Sequence, residues 1–221
     1  MKNKLSPFAQ WLLLCFVFIA ILIVARIIYS GNNLYLFLIW NLFLAWIPYA
    51  ISLYFKKSIT KTKIAQALLF ISWLLFFPNA LYIVTDIIHV KETEAAPVWF
   101  DAILLFASSF AGLALAFASI IHVENLLRHY FHKKFTNALV VFLLFVGSFG
   151  VYLGRFQRWN SWDVLHNPLS LATDILHRFT SPFAHTKTWG VTFLLTGLYV
   201  MCWFFIKSFP TSAIHSKQKH I

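Results

Sequence analysis

Long apolar runs recur along this chain, and they constrain its fold more than any other feature. Residues 8–29 are apolar apart from Gln10 and Arg26, and comparable runs follow at 34–55, 64–84, 98–121, 137–154 and 189–206. A segment of about 20 apolar residues crosses the hydrocarbon core of a bilayer as a helix. Charge is correspondingly scarce: 11% of the 221 residues are charged, where a soluble domain carries about 25%. The expected fold is an all-α, polytopic membrane protein, one integral domain over residues 1–221. It is a bundle of about six transmembrane helices, with a short interfacial helix at 169–179 before the last span.

The first run imitates a signal peptide, but it is too long and no small-residue cleavage site follows it. Leu14 is too large for the position before a processed lipoprotein cysteine. A retained span is expected, with Arg26 snorkelling to the far interface. Pro48 should kink the second span and Pro78 the third. Ser108, Gly112 and Ala116, at spacing four, let helix backbones approach closely in lipid and predict a central fourth span. Gly150 and Gly154 repeat that spacing in the fifth. Cys15 and Cys202 both lie inside apolar runs and read as small hydrophobes.

The formal net charge of +11 does not point to nucleic acid, because the lysines sit in short loops between spans instead of on one soluble face. Twelve of the eighteen basic residues fall at the N-terminus (Lys2, Lys4), after the second span (Lys56, Lys57, Lys61, Lys63), after the fourth (Arg128, Lys133, Lys134) and in the tail (Lys207, Lys217, Lys219). Six of the seven carboxylates, Asp86, Glu92, Glu94, Asp101, Asp163 and Asp174, fall on the other side. Six spans with both termini cytoplasmic satisfy the positive-inside rule. His122, Glu124, His129 and His132 then form a solvated basic loop.

Two polar clusters lie on the outer side in this topology. One runs from Pro78-Asn79 to Asp86 and His89; the other is Tyr152-Leu153-Gly154-Arg155-Phe156-Gln157-Arg158-Trp159-Asn160-Ser161-Trp162-Asp163. Ionisable groups sunk in a membrane must be paired or line water, and they mark function by default. Belt tryptophans and interface ion pairs would explain part of the pattern, but acid, base, amide and hydroxyl groups together exceed what anchoring needs. Asp86, His89 and Asp163 are the candidate catalytic residues. Asn79, Arg155, Arg158, Trp159, Asn160 and Trp162 are the candidate substrate-binding residues. Arg155 and Arg158, three apart on a continuing helix, would share a face and clamp an anionic group. Asp-x-x-His spacing recurs at Asp86–His89, Asp163–His166 and Asp174–His177, and suits an acid–base couple or metal ligation. No metal site is assigned; Asp86 and His89 are the residues that would supply ligands to one. No glycine-rich phosphate loop, nucleophilic-serine motif or zinc-protease motif names a cofactor.

The stretches Phe77–His89 and Tyr152–Asp163 resemble a family of bacterial integral membrane proteins, catalogued as domain of unknown function 1361. The resemblance covers the chain from about the second span onward. It implies a place in a bacterial cytoplasmic membrane, and it favours Asp86 and His89 over the other two Asp-x-x-His segments, because His166 and the Asp174–His177 segment stand outside the family pattern. It implies no reaction. The leading expectation is an enzyme, a hydrolase or transferase, acting at the outer face on a lipid-linked, anionic or cell-envelope substrate, with membrane lipids as partners. A small-solute transporter or channel-like protein, and a structural or accessory subunit without catalysis, are the alternatives.

Overall fold

A computed structural model describes residues 6–55, 62–90 and 96–208. The expected basic run Lys56–Lys61 and the acidic loop around Glu92 and Glu94 fall outside the described residues, as do Lys2, Lys4 and the tail beyond 208. The described chain is helical throughout its long apolar runs. In hydrocarbon each backbone N–H and C=O must be bonded within its own segment, and a helix does this.

Helix α1 (Pro7–Ser30) starts where the Ser6 hydroxyl accepts from the Ala9 N–H at 3.2 Å, with Pro7 in the first turn, which lacks intrahelical donor partners anyway. It stops at Gly31, whose φ of 69° lets its N–H return to the Ile27 carbonyl. Helix α2 (Phe37–Ser52) runs on through Pro48 and is shorter than the expected 34–55 span. Helix α3 (Lys63–Tyr82) likewise continues through Pro78 and then tightens into a 3-10 helix, Ile83–His89. Carbonyls at that junction take side-chain hydrogen bonds: Tyr199 Oη donates to the Leu81 oxygen at 3.0 Å and Ser109 Oγ to the Ile83 oxygen at 3.1 Å.

Helix α4 (Val98–Tyr130) is 33 residues long, about 50 Å at 1.5 Å per residue. The expected loop beginning at His122 is therefore the last turns of this helix. Helix α5 (Lys133–Gln157) follows after two residues, then the one-turn α6 (Asp163–His166), the amphipathic α7 (Pro168–Thr180), a 3-10 turn at Pro182–His185 and the final α8 (Thr186–Ser208). Among the described residues, five segments are long and apolar enough to cross a membrane: Pro7–Ser30, Lys63–His89, Val98–Tyr130, Lys133–Gln157 and Pro182–Ser208. Helix α2, at 16 residues, is the shorter sixth.

The central position expected of α4 is observed. It packs against α1, α2, α3 and its 3-10 extension, and α5, with Ser108 fully buried and Ala116 nearly so. A Cβ added at Gly112 would meet the Ala80 carbonyl at 3.2 Å and Ile83 at 3.1 Å, so this glycine sets the approach of α3. Helix α5 meets α3 more closely still. A Cβ at Gly150 would lie 2.5 Å from Pro78 Cγ, and one at Gly147 2.8 Å from Leu81, whereas Gly154 has only ordinary contacts. The tight pair is thus Gly147 and Gly150, one helical turn apart on the face that meets Pro78.

Contacts between helix ends assign two poles to the bundle. Arg26, Asp86, Asp101 and Arg155 share one, the site end. The other, the basic end, joins Ser52 to His122, Gln66 to Tyr130 and Lys207 to Glu124. There Glu124, expected in solvent, is buried and accepts from Arg128 at 2.6 Å and Lys207 at 2.5 Å. Replacing Gly150 by valine should destabilise the bundle by about 1–3 kcal/mol through overpacking against the rigid Pro78 ring. Gly197→Ala, with nothing within 4 Å of the new methyl, should not. Thermal unfolding of the two variants in detergent checks the contrast.

Candidate functional site

Asp86 and His89 lie on the 3-10 helix, where three residues make one turn and side chains at i and i+3 eclipse. That geometry stacks both on one side, facing the last turns of α5. Arg155 reaches them from there. Its Nη2 pairs with Asp86 Oδ1, its Nε donates to Thr85 Oγ1 at 2.8 Å, and its Nη1 lies 3.0 Å from His89 Nε2. A guanidinium can only donate, so His89 Nε2 is the acceptor in this contact. The guanidinium also lies over the Tyr82 ring, 4.1 Å from its centroid. The other Asp86 oxygen accepts from Asn41 Nδ2 of α2 at 2.8 Å. Asp86 is fully buried and the Arg155 side chain is 8% exposed. The two segments expected to meet do meet, through a buried ion pair in which each Asp86 oxygen and each guanidinium nitrogen has a protein partner.

A second buried pair stands beside it. Arg26, expected to snorkel, is instead 2% exposed and grips Asp101 with two bonds, Nε–Oδ1 at 2.7 Å and Nη2–Oδ2 at 3.2 Å. Tyr35 donates to Asp101 Oδ2 at 3.1 Å and its hydroxyl also lies 3.4 Å from the His89 carbonyl, linking the two clusters. Burial, and then the Asp101 charge, push the Tyr35 phenol up to about 12, so it stays protonated and able to donate. In both pairs a carboxylate is available at the same depth, and pairing there costs less than carrying a long side chain out through lipid.

The second polar cluster divides. Helix α5 ends at Gln157, and Arg158 turns into the left-handed region at φ 61°, exposed and away from Asp86. The expected shared face of Arg155 and Arg158 does not form, because no continuing helix carries it. Asp163 braces its own turn, accepting from the Asn160 N–H at 2.6 Å. Trp162 is an exposed residue at the start of α6. Asn79 donates to Ser161 Oγ at 3.0 Å, and Ser161 Oγ donates to the Leu75 carbonyl at 2.9 Å, which pins this loop to α3. Trp159 Nε1 donates to Asp174 Oδ2 at 2.8 Å, tying the loop to α7. Burial alone would raise the Asp174 carboxyl, but hydrogen bonds from Arg178 and Trp159 outweigh it and hold the group below the usual carboxylate range. His177 pairs with His185 at 2.8 Å. Among the described residues no three His, Cys, Asp or Glu side chains converge as a metal site would require.

A cavity of about 450 Å³ opens between α2, α3, α5 and α7, within the roughly 300–1,000 Å³ usual for small-molecule sites. Of the candidate residues, Asn79, Trp159 and Asn160 line it, while Asp86, His89, Arg155, Arg158, Trp162 and Asp163 do not. Asn41 and Tyr82 do, and they form the partition between cavity and ion pair, since each touches both. Leu44, Ile71, Leu74 and Val146 make the part nearer the basic end, and Leu171 and Ile175 of α7 pack over the other. Asn41 and Arg26, both missed as site residues, carried one legible signal: each is a polar group inside an apolar run.

A family model described as a protein of unknown function (DUF1361) matches residues 40–202. The chain belongs to this family. No curated protein and no solved structure matches it. The DUF1361 match takes in Asp86, Arg155 and every cavity-lining residue from Trp40 to Ile175, and leaves Arg26 outside.

Removing one member of the Asp86–Arg155 pair should cost about 3–5 kcal/mol, because the other charge is left buried and unpaired. Asp86→Leu and Arg155→Met should each lower the unfolding midpoint more than the double variant does. Denaturation in detergent, read as a double-mutant cycle, checks the coupling.

Proposed function

We propose that this chain is an integral membrane protein that takes up one amphiphilic molecule from the bilayer into the cavity between α2, α3, α5 and α7. The observation that carries this is the cavity's gradient along its length. Ile71 and Tyr82, both on its wall, are about 17 Å apart along α3. Over that distance the lining changes from Leu44, Leu74 and Val146 to Asn79, Asn160, Ser161 and Tyr82. Trp40 and Ile71, also lining it, are 53% and 60% exposed on helices that face lipid, so the opening is lateral. A hydrocarbon chain matches the lower wall, and a polar group matches the amides and hydroxyl above it.

The geometry supports binding more than hydrolysis. The lining residues include no carboxylate, imidazole or thiol. Of the groups expected to do acid–base work, Asp86 and His89 are engaged by Arg155 behind Asn41 and Tyr82, and Asp163 is bonded to Asn160 in its own turn. Ser161 has its hydroxyl committed to Leu75, with no base beside it. A solute path between the two poles is less well supported. From Leu42 to Ile51, α2 is apolar apart from Tyr49, and the adjoining core holds Trp73, Phe77, Leu115 and Leu144. A carrier or accessory protein for an amphiphile is the reading that uses the cavity.

The charge distribution supports an outward site end. The sequence puts twelve basic residues against one acidic residue at the basic end, and six against six at the site end. The bias is toward the pole that holds both ends of the described chain, which supports a cytoplasmic place for that pole. Lys187→Cys should react with an impermeant maleimide added to intact cells. Labelling that needs cell lysis would reverse the orientation.

Val146→Trp should fill the lower cavity and lower the lipid retained by the purified protein at least severalfold, at an unchanged helical content. Native mass spectrometry measures the retained lipid. Undiminished retention by a folded Val146→Trp protein would sink the cavity reading.

A further inference from the structure

The neutral wall of the cavity leaves the occupant's polar group open, and the arginines at the site end narrow it. Four arginines lie there. Arg26 is bound to Asp101, Arg155 to Asp86 and Arg178 to Asp174, each largely buried beside its carboxylate. Arg158 differs. It is exposed and has no carboxylate partner among the described residues.

The backbone determines where Arg158 stands. It caps α5 at φ 61°, a conformation that glycine adopts freely and that is uncommon for other residues. It leads straight into Trp159 and Asn160, both on the cavity wall. A second cation stands over the last turn of α5: Lys187 Nζ lies 4.4 Å from the centroid of the Phe156 ring, and Phe156 precedes Arg158 by two residues. The nearest carboxylate in sequence, Asp163, uses Oδ2 on the Asn160 backbone and side-chain amides at 2.6 and 3.4 Å. A cavity with an uncharged wall is thus met at the site end by an arginine that has no carboxylate partner among the described residues.

We propose that the occupant is an anionic lipid, with its chain along Leu74 and Val146 and its phosphate at Arg158, Lys187 standing beside it. This rests on the cavity reading above. A guanidinium fork matches phosphate oxygens, and such charge-assisted bonds are the strong ones. Free phosphate shares that chemistry, but the apolar wall fits a chain-bearing source. The arrangement also gives Arg155 and Arg158 different tasks: the first holds the fold, the second selects the ligand.

The test uses the full chain in detergent, with native mass spectrometry of phosphatidic acid and diacylglycerol of identical acyl chains. Wild type should prefer the anionic lipid by about tenfold, the scale of one charge-assisted hydrogen bond. Arg158→Gly, which keeps the left-handed cap, should bring the two lipids to near parity by weakening phosphatidic acid. Val146→Trp should remove both. An unchanged preference in Arg158→Gly, with Val146→Trp still blocking both lipids, overturns the headgroup assignment and spares the cavity. Unchanged binding in Val146→Trp overturns the cavity and this inference with it. Thermal stabilisation of lipid-free wild type by millimolar inorganic phosphate, lost in Arg158→Gly, would assign the site to free phosphate and overturn the lipid source.

Discussion

A charge buried among membrane helices is tolerable only when another charge meets it, and the Asp86–Arg155 pair organises the site end on that condition. Asp86 reaches Arg155 because α3 tightens into a 3-10 helix after Tyr82, and that tightening puts Thr85, Asp86 and His89 within reach of one guanidinium. Asn41 from α2 closes the remaining carboxylate oxygen. Three segments far apart in sequence are thereby held at one level. Arg26 and Asp101 repeat the device for α1 and α4, and Tyr35 joins the two through the His89 carbonyl. Each pair balances its own charge, so the low dielectric between helices strengthens the attraction without leaving an excess.

The cavity depends on this arrangement without including it. Asn41 and Tyr82 each turn one side to the ion pair and the other to the cavity. Gly147 and Gly150 let α5 close directly on Phe77, Leu81 and Pro78, and of these Gly150 and Pro78 line the cavity. The loop after α5 is held at two points, Ser161 to α3 and Trp159 to α7. The cavity is therefore bounded by fixed elements on several sides, with its lateral opening past Trp40 and Ile71.

Several features were legible because they rest on local composition and depth. The small-residue spacing of α4 marked its central place, and the convergence of Asp86 with Arg155 followed from counting residues along two spans. Other expectations failed for equally definite reasons. Arg158 left the Arg155 face because the helix ended one residue before it, and a left-handed cap at a non-glycine residue carries no clear sequence sign. Arg26 did not snorkel, because Asp101 stood at the same depth on a neighbour that nothing local could identify. The loop expected after Ile121 became helix, because Glu124 found Lys207 and Trp203 on α8 and could stay buried.

The amino-acid order alone determined the solvent this chain must live in, its helical class and the two polar segments that face each other. Those follow from transfer energies and backbone hydrogen bonding, which depend on residue type and run length. Tertiary structure alone decided which polar groups neutralise each other and which are left to bind. A charge becomes structural or available according to whether a partner lies within a few ångströms, and packing sets that distance.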